Sequence, residues 1–360
     1  MSSVRTHKVA VIPGDGIGIE VTAAAIEVLK AVQDKVKGFE LVFTEYNWGS
    51  ALYKQTGSYT PKDWLDTLKG HDTIFFGAVG DPDVPDHISL WQLILPMRQH
   101  FQQYVNVRPS VVFKGIDPPT RCATAEGGEL DWIMLRENTE GEYAGQGGRS
   151  HVGHEHEIAT EVAVFTRIGI ERFLRFAFET AQKRPRKLLT VVTKSNAQRY
   201  GLVLWDEVAQ LVSKDYPDVK WDRILVDAMT VRMVAKPQTL DVIAATNLHA
   251  DILSDLAAAL SGSIGIAPSS NLDPTRKSPS LFEPVHGAAF DIMGKNLANP
   301  VAAVWSASEM LRWLGEETAA DMLFNAMKAS LAQGIKTADL GGTHKTTEVT
   351  KAICDLIKGM

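Results

Sequence analysis

The sequence predicts an α/β protein of two domains, and three observations carry that reading. Short β-branched runs alternate with stretches of helical periodicity along most of the chain. Its 360 residues exceed the roughly 250 at which a single core usually divides. The first element is already a strand, a tight turn and a helix in succession.

That opening element is a β-branched run at residues 8–13, then Gly14, Asp15, Gly16, Ile17 and Gly18, then an apolar-periodic helix over 19–32. Further strands are expected at 41–45, 73–77, 132–136, 188–193, 220–226 and 242–246, with helices between most of them. Residues 141–167 read differently. They are glycine-rich, carry His151, His154 and His156, and then alternate over 157–165 as in an exposed hairpin, a pattern that suits an arm to a second subunit. After about Ser261 a polar, proline-containing loop is expected to Pro284, then a glycine-rich loop to Pro300 and two terminal helices.

Composition narrows the function classes. The chain is 45% hydrophobic and 22% charged, ordinary for a globular protein, and its net charge of -6 comes without a basic stripe or an acidic tail. Nucleic-acid binding therefore has no support. Only Cys122 and Cys354 are present, too few for a disulfide framework or a cysteine zinc site. The opening residues run into a strand without an extended apolar signal core, so the expectation is a cytoplasmic protein with neither export signal nor membrane span.

Several segments carry candidate chemistry. In the stretch NLHADILSD, Asp251 and Asp255 fall at i and i+4 on one helix face, where two carboxylates can clasp one hard cation, Mg²⁺ or Mn²⁺. The plain alternative is a helix start favouring acids through its dipole. Arg98 and Arg108 stand ten residues apart and Arg136 ends an apolar strand; the planar guanidinium fork suits carboxylates, though each alone is more often a surface cation. Lys194 closes a strand at the end where α/β sheets tend to place ligands, and could serve as a base. Tyr143, in a flexible glycine-rich loop, could donate a phenolic proton. The 14–18 turn lacks the last glycine of a dinucleotide fingerprint, since Ile19 stands there. The better cofactor candidate runs from Glu283 through Asp291 to Pro300: its glycines allow close backbone approach, and Asp291 can accept from both hydroxyls of an adenosine ribose while repelling a 2′-phosphate.

Together, IPGDGIGIEV, LPMRQHFQQYVNVRP, RENTEGEY, TKSN, VDAMTVRM, NLHADILSD and EPVHG through ANP resemble the β-decarboxylating dehydrogenases, the family of isopropylmalate, isocitrate, and tartrate or D-malate dehydrogenases. The match covers essentially the whole chain. It implies an isopropylmalate dehydrogenase-like fold of two α/β domains around a central cleft, not a classical Rossmann domain. Residues 1–104 plus 262–360 would form the cofactor-side domain, and 105–261 the substrate, metal and dimerisation domain with an arm at about 138–165. The resemblance also implies a homodimer with a shared active site. Arg98, Arg108 and Arg136 would bind the carboxylates of a small dicarboxylate, with Asn196 beside them. Asp251, Asp255 and Asp227 of the partner subunit would carry Mn²⁺ or Mg²⁺, and Lys194 of the partner subunit would be the base. Tyr143 would protonate the enolate, and His286, Gly287, Asp291 and Asn299 would meet NAD.

Substrate choice rests on the residues before Arg98. Isocitrate enzymes of the family place a serine and an asparagine six and four residues before the arginine, where this chain has Gln92 and Ile94. Isopropylmalate enzymes leave an apolar cavity, usually with a glutamate seven before, where this chain has Trp91. Room for hydrogen or hydroxyl on C3 is what remains, and Ser89-Leu90-Trp91 is similar to what the tartrate and D-malate enzymes carry. Two departures stand out: His249-Ala250 and Phe290 replace the Phe-Gly and Pro usual in the family. The alternatives are 3-isopropylmalate dehydrogenase, a non-catalytic regulatory subunit, and a metal-dependent decarboxylase that uses no nicotinamide.

Overall fold

The computed structural model describes residues 4–119 and 130–360, so Cys122 lies outside the described residues. The chain is α/β, as its sequence predicts, and divides into two compact units. One comprises residues 1–103, 111–119 and 258–360; the other comprises 104–110 and 120–257.

The first unit begins with β1 (Arg5–Gly14), α1 (Gly18–Val36), β2 (Phe39–Glu45), α2 (Ser50–Thr56), α3 (Trp64–Lys69), β3 (Thr73–Ala78) and α4 (Asp86–Ser89). A π-helical turn over Leu90–Ile94 then leads into α5 (Leu95–His100). The second unit takes over with β4 (Val105–Val111), β5 (Asp131–Glu137), the hairpin β6 (Gly141–Ser150) and β7 (Ile158–Val164), and α6 (Arg167–Lys183). It continues through β8 (Leu188–Thr193), α7 (Gly201–Val212), β9 (Lys220–Leu225), α8 (Val226–Ala235), β10 (Val242–Ala245) and α9 (Asn247–Ser261). The chain then returns to the first unit through β11 (Pro268–Leu272), β12 (Ser280–Pro284), α10 (Val301–Trp313), α11 (Glu317–Ala332) and α12 (Thr346–Gly359).

In the first unit the strand order is β2-β1-β3-β12-β11, with β1 parallel to β2 and β3, β12 parallel to β3, and β11 antiparallel to β12. β3, Thr-Ile-Phe-Phe-Gly-Ala, is buried at every position, the continuous apolar pattern of a strand covered on both faces. Ile12, Ile74, Phe76 and Leu281 from its strands pack with Tyr59, Met97 and Phe101 in one core. In the second unit the order is β4-β5-β10-β8-β9, and the last four strands are mutually parallel. Phe173, Leu174 and Phe178 on α6 and Trp205 on α7 close its core against Val191 and Val242. Truncating one of these aromatic side chains to alanine would cost about 3–5 kcal/mol.

The terminal region differs from its sequence reading. β11 and β12 lie within the stretch expected to be a loop. Their polar residues mask the strand pattern, because both strands are fully buried and their polar groups are met internally, as when Asn271 Nδ2 donates to Glu283 Oε1 at 2.8 Å. β4 also escapes the sequence because Pro109 sits inside it. Three terminal helices are present instead of two, since the chain breaks at Gly315 between α10 and α11.

Candidate active site

In the second unit α9 is the organising element. Its sequence places Asn247, Asp251 and Ser254 at i, i+4 and i+7, on one face, and Asp255 beside them. Arg108, on β4, donates from Nε to Asn106 Oδ1 at 2.8 Å and from Nη1 to Ser254 Oγ at 2.6 Å, and its Nη1 lies 3.5 Å from Asp251 Oδ1. Arg136, at the end of β5, donates from Nε to Asn247 Oδ1 at 2.9 Å and from Nη1 to Asp251 Oδ1. Tyr143 donates its phenolic proton to Asp251 Oδ2 at 3.0 Å, and the Arg136 guanidinium lies 5.2 Å from the Tyr143 ring centroid. Both arginines are buried. Two guanidinium forks and a phenol thus converge on one carboxylate, the forks oriented by separate polar side chains, Asn106 and Ser254 for Arg108 and Asn247 for Arg136.

Tyr143 lies on β6 and not in a flexible loop, which corrects the sequence reading. The glycines there belong to a hairpin whose register runs from Gln146 opposite Val162 to Ser150 opposite Ile158.

The Asp255 carboxyl is held above the ordinary aspartate range. Desolvation by the surrounding protein is the main cause; Arg108 lowers its pKa, Asp251 raises it and Arg136 lowers it. His249 is buried, which lowers its pKa; Glu142 opposes that shift and Lys194 adds to it. Glu137 is fully buried and pushed up to about 7 by desolvation, against the backbone N–H groups of Glu140 and Thr139 and the Thr139 hydroxyl.

Lys194 follows β8, and its Nζ donates to Asp227 Oδ1 on the first turn of α8 at 2.6 Å. That contact holds the Asp227 carboxyl below its usual range. Asn196 is exposed on the turn that follows. Among the described residues, no three His, Cys, Asp or Glu side chains are arranged to hold a metal ion.

The first unit carries the other candidates. Arg98 is buried on α5, where Nη2 donates to Glu283 Oε1 at 3.0 Å while Nε has no hydrogen-bond partner. Ile94 packs in the core at 3% exposed, whereas Trp91, on the π turn, is 39% exposed. His286 is buried with Nε2 unpartnered; burial lowers its pKa, and the Gly287 carbonyl accepting from Nδ1 resists that shift. A Cβ added at Gly287 would meet nothing within 4 Å, and Asp291 is exposed on the same loop. Asn299 is spent internally: Nδ2 donates to Asp339 Oδ2 at 3.0 Å, and Oδ1 accepts from Val301 N at 3.0 Å.

The turn at Gly14 to Gly18 braces this loop. Ile17 N donates to Ala288 O at 2.8 Å, and a Cβ at Gly16, whose φ is +55°, would stand 1.9 Å from that same oxygen. Sequence reasoning missed this role, along with the arginine-orienting Asn106, Asn247 and Ser254 and the Glu283 partner of Arg98. Only Asn247 and Ser254 carried a signal, their i and i+7 spacing about Asp251.

Residues 8–353 match the family model described as isocitrate/isopropylmalate dehydrogenase. The chain is 58% identical over 357 residues to a protein of Agrobacterium vitis named "Probable tartrate dehydrogenase/decarboxylase", covering 99% of both chains. It is 47% identical over 361 residues to the D-malate dehydrogenase (decarboxylating) of Escherichia coli strain K12, covering 98% of this chain and 99% of that one. Among solved structures, the isocitrate dehydrogenase of Methylococcus capsulatus superimposes with a TM-score of 0.88 at 34% identity, over 98% of this chain and 99% of the other. The chain therefore belongs to the isocitrate/isopropylmalate dehydrogenase family.

Proposed function

We propose that the chain oxidises a small 2-hydroxy dicarboxylate, tartrate and/or D-malate, with NAD as acceptor and Mn²⁺ or Mg²⁺ as the required ion, and with decarboxylation that depends on the substrate. The observation that carries this reading is the convergence of Arg108, Arg136 and Tyr143 on Asp251. Two oriented forks suit a carboxylate, and the phenol beside them suits proton delivery.

The donor set fits a hard divalent cation. Asp251 and Asp255 offer oxygen only, and a cation between them relieves both their mutual repulsion and the desolvation that raises Asp255. Asp227 of a second copy would complete the set. The cofactor loop fits a dinucleotide through the open face at Gly287, the orphaned His286 Nε2 and the exposed Asp291. When bound, the ion supplies the positive charge that acidifies the C2 hydroxyl, and the nicotinamide supplies the hydride acceptor.

The chain's own residues do the rest. Arg108 and Arg136 fix the diacid against donors that Asn106, Ser254 and Asn247 already hold in place. Lys194 Nζ, brought like Asp227 by the second copy of the chain, takes the C2 hydroxyl proton. Tyr143 Oη, held within hydrogen-bond reach of Asp251, gives its proton to C3 after the carboxylate departs.

The bulk of Trp91, where isopropylmalate enzymes usually carry glutamate, and the names of the relatives at 58% and 47% identity favour malate- or tartrate-sized substrates. The test is NADH formation from D-malate, the tartrate isomers, isopropylmalate and isocitrate with Mn²⁺ present and NADP⁺ as control. D-malate or a tartrate should exceed isopropylmalate in kcat/KM by about tenfold or more, the worth of a misfitted apolar group. Far better turnover of isopropylmalate would assign the chain to the isopropylmalate branch.

A further inference from the structure

We propose that the tip of the β6–β7 hairpin is a second metal site, for a borderline transition ion such as Zn²⁺, formed by His151, His154 and His156. The proposed dehydrogenase chemistry uses none of the three.

The backbone beneath them is fixed. His154 N donates to His151 O at 3.0 Å and Glu157 N donates to His154 O at 3.0 Å, which winds the tip into two successive turns. Glu157 is already committed: it accepts from Gly153 N at 3.1 Å and pairs with Arg149. His151 itself adopts a left-handed conformation, φ 56°. These constraints crowd three exposed imidazoles together. The His151 and His156 ring centroids are 4.8 Å apart, and those of His154 and His156 are 5.6 Å apart, with the rings tilted by 55° and 34°.

The His151–His156 and His154–His156 separations are on the scale of two ligands that share an ion. With a Zn–N distance of about 2.1 Å and a tetrahedral angle, ligated ring centroids fall about 5 Å apart. The nitrogens are not yet arranged as a ligand set in this structure. Closing the site requires rotation of exposed side chains on a backbone already in place.

Donor chemistry separates this site from the carboxylates of α9. Imidazole selects Zn²⁺, Cu²⁺ or Ni²⁺, whereas the all-oxygen pair selects Mg²⁺ or Mn²⁺. Position along the chain separates them too: Tyr143 is near the start of β6 and His151 just beyond its end at Ser150, a span of at most about 26 Å for eight extended residues at about 3.3 Å each. An ion at the tip would clip the end of β6 to the start of β7 without reaching the reacting atoms.

The test measures Zn²⁺ bound per chain by equilibrium dialysis and elemental analysis, with Mg²⁺ in large excess to fill oxygen sites. An Asp251→Asn, Asp255→Asn variant should keep about one Zn²⁺ per chain, and adding His151→Gln, His154→Gln and His156→Gln should abolish it. In the wild-type background the three histidine substitutions should leave dehydrogenase activity with Mn²⁺ unchanged. Co²⁺ added to the unaltered chain offers a check that needs no substitution, through the visible absorption of a nitrogen-ligated ion. Equal Zn²⁺ binding with and without the histidines, or the absence of any such Co²⁺ spectrum, would overturn the proposal. Neither result bears on the dehydrogenase reading.

Discussion

At the scale of single residues, the candidate site works by committing polar side chains to one another before any ligand arrives. Asp251 is the clearest case: it meets Arg108, Arg136 and Tyr143 at once. Next to Arg136, Glu137 has a consequence for stability. Burial raises its folded-state pKa to about 7, above the unfolded value of about 4.3, so the folded chain holds a proton that the unfolded chain releases. Its contribution is therefore fully present below about pH 4.3 and is lost as pH rises toward 7 and beyond. Glu137→Gln should lower stability overall, because an amide cannot accept from all the donors Glu137 serves, yet it should remove roughly 3 kcal/mol of the decline between those limits. Chemical denaturation of both forms across that range reads the difference. Parallel pH profiles would mean that Glu137 ionises alike in folded and unfolded chains.

At the scale of elements, two short segments set the geometry of longer ones. The Gly14 to Gly18 turn begins α1 and at the same time supports Ala288 in the candidate cofactor loop. Gly16→Ala must relieve both an unfavourable positive φ and a Cβ 1.9 Å from a carbonyl oxygen. A loss of at least about 2 kcal/mol is expected. Because the displaced loop carries His286 and Asp291, KM for NAD should rise several-fold with a smaller change in kcat. A variant with lowered thermal stability but unchanged KM for NAD would confine the turn to a folding role. The π turn over Leu90–Ile94 acts comparably before α5, leaving Leu93 and Ile94 in the core and Trp91 outward.

At the scale of the whole molecule, the decisive question is whether one chain completes a site. Lys194 and Asp227 are paired with each other, while Arg108, Arg136 and Tyr143 meet at Asp251. If the base and the third carboxylate come from a second copy, a Lys194→Met chain and an Asp251→Asn chain should each be inactive alone. Mixed and refolded together, they should recover about a quarter of wild-type activity, since half the dimers would be mixed and each would own one intact site. A mixture as inactive as its components would place the entire site within one chain. Among the described residues no helix is long and apolar enough to cross a membrane.

Much of this protein was legible without coordinates, for identifiable reasons. Periodicity exposed the parallel strands, because a strand buried on both faces must be nearly all apolar, as β3 and β10 are. The order of motifs exposed the family, and the i, i+4 spacing put Asp251 and Asp255 on one helical face. β11 and β12 were hidden, since their serines and asparagine are buried only because partners distant in sequence satisfy them. Tyr143 read as a loop residue because glycine-rich sequence does not distinguish a hairpin from a flexible turn. The partners of the arginines, Asn106, Ser254, Asn247 and Glu283, could be assigned only once strands and helices far apart in the chain were packed together. Local pattern thus determined which elements form and which chemistry they carry, while packing decided which side chains meet, because hydrogen bonds between distant residues leave no periodic trace in a single sequence.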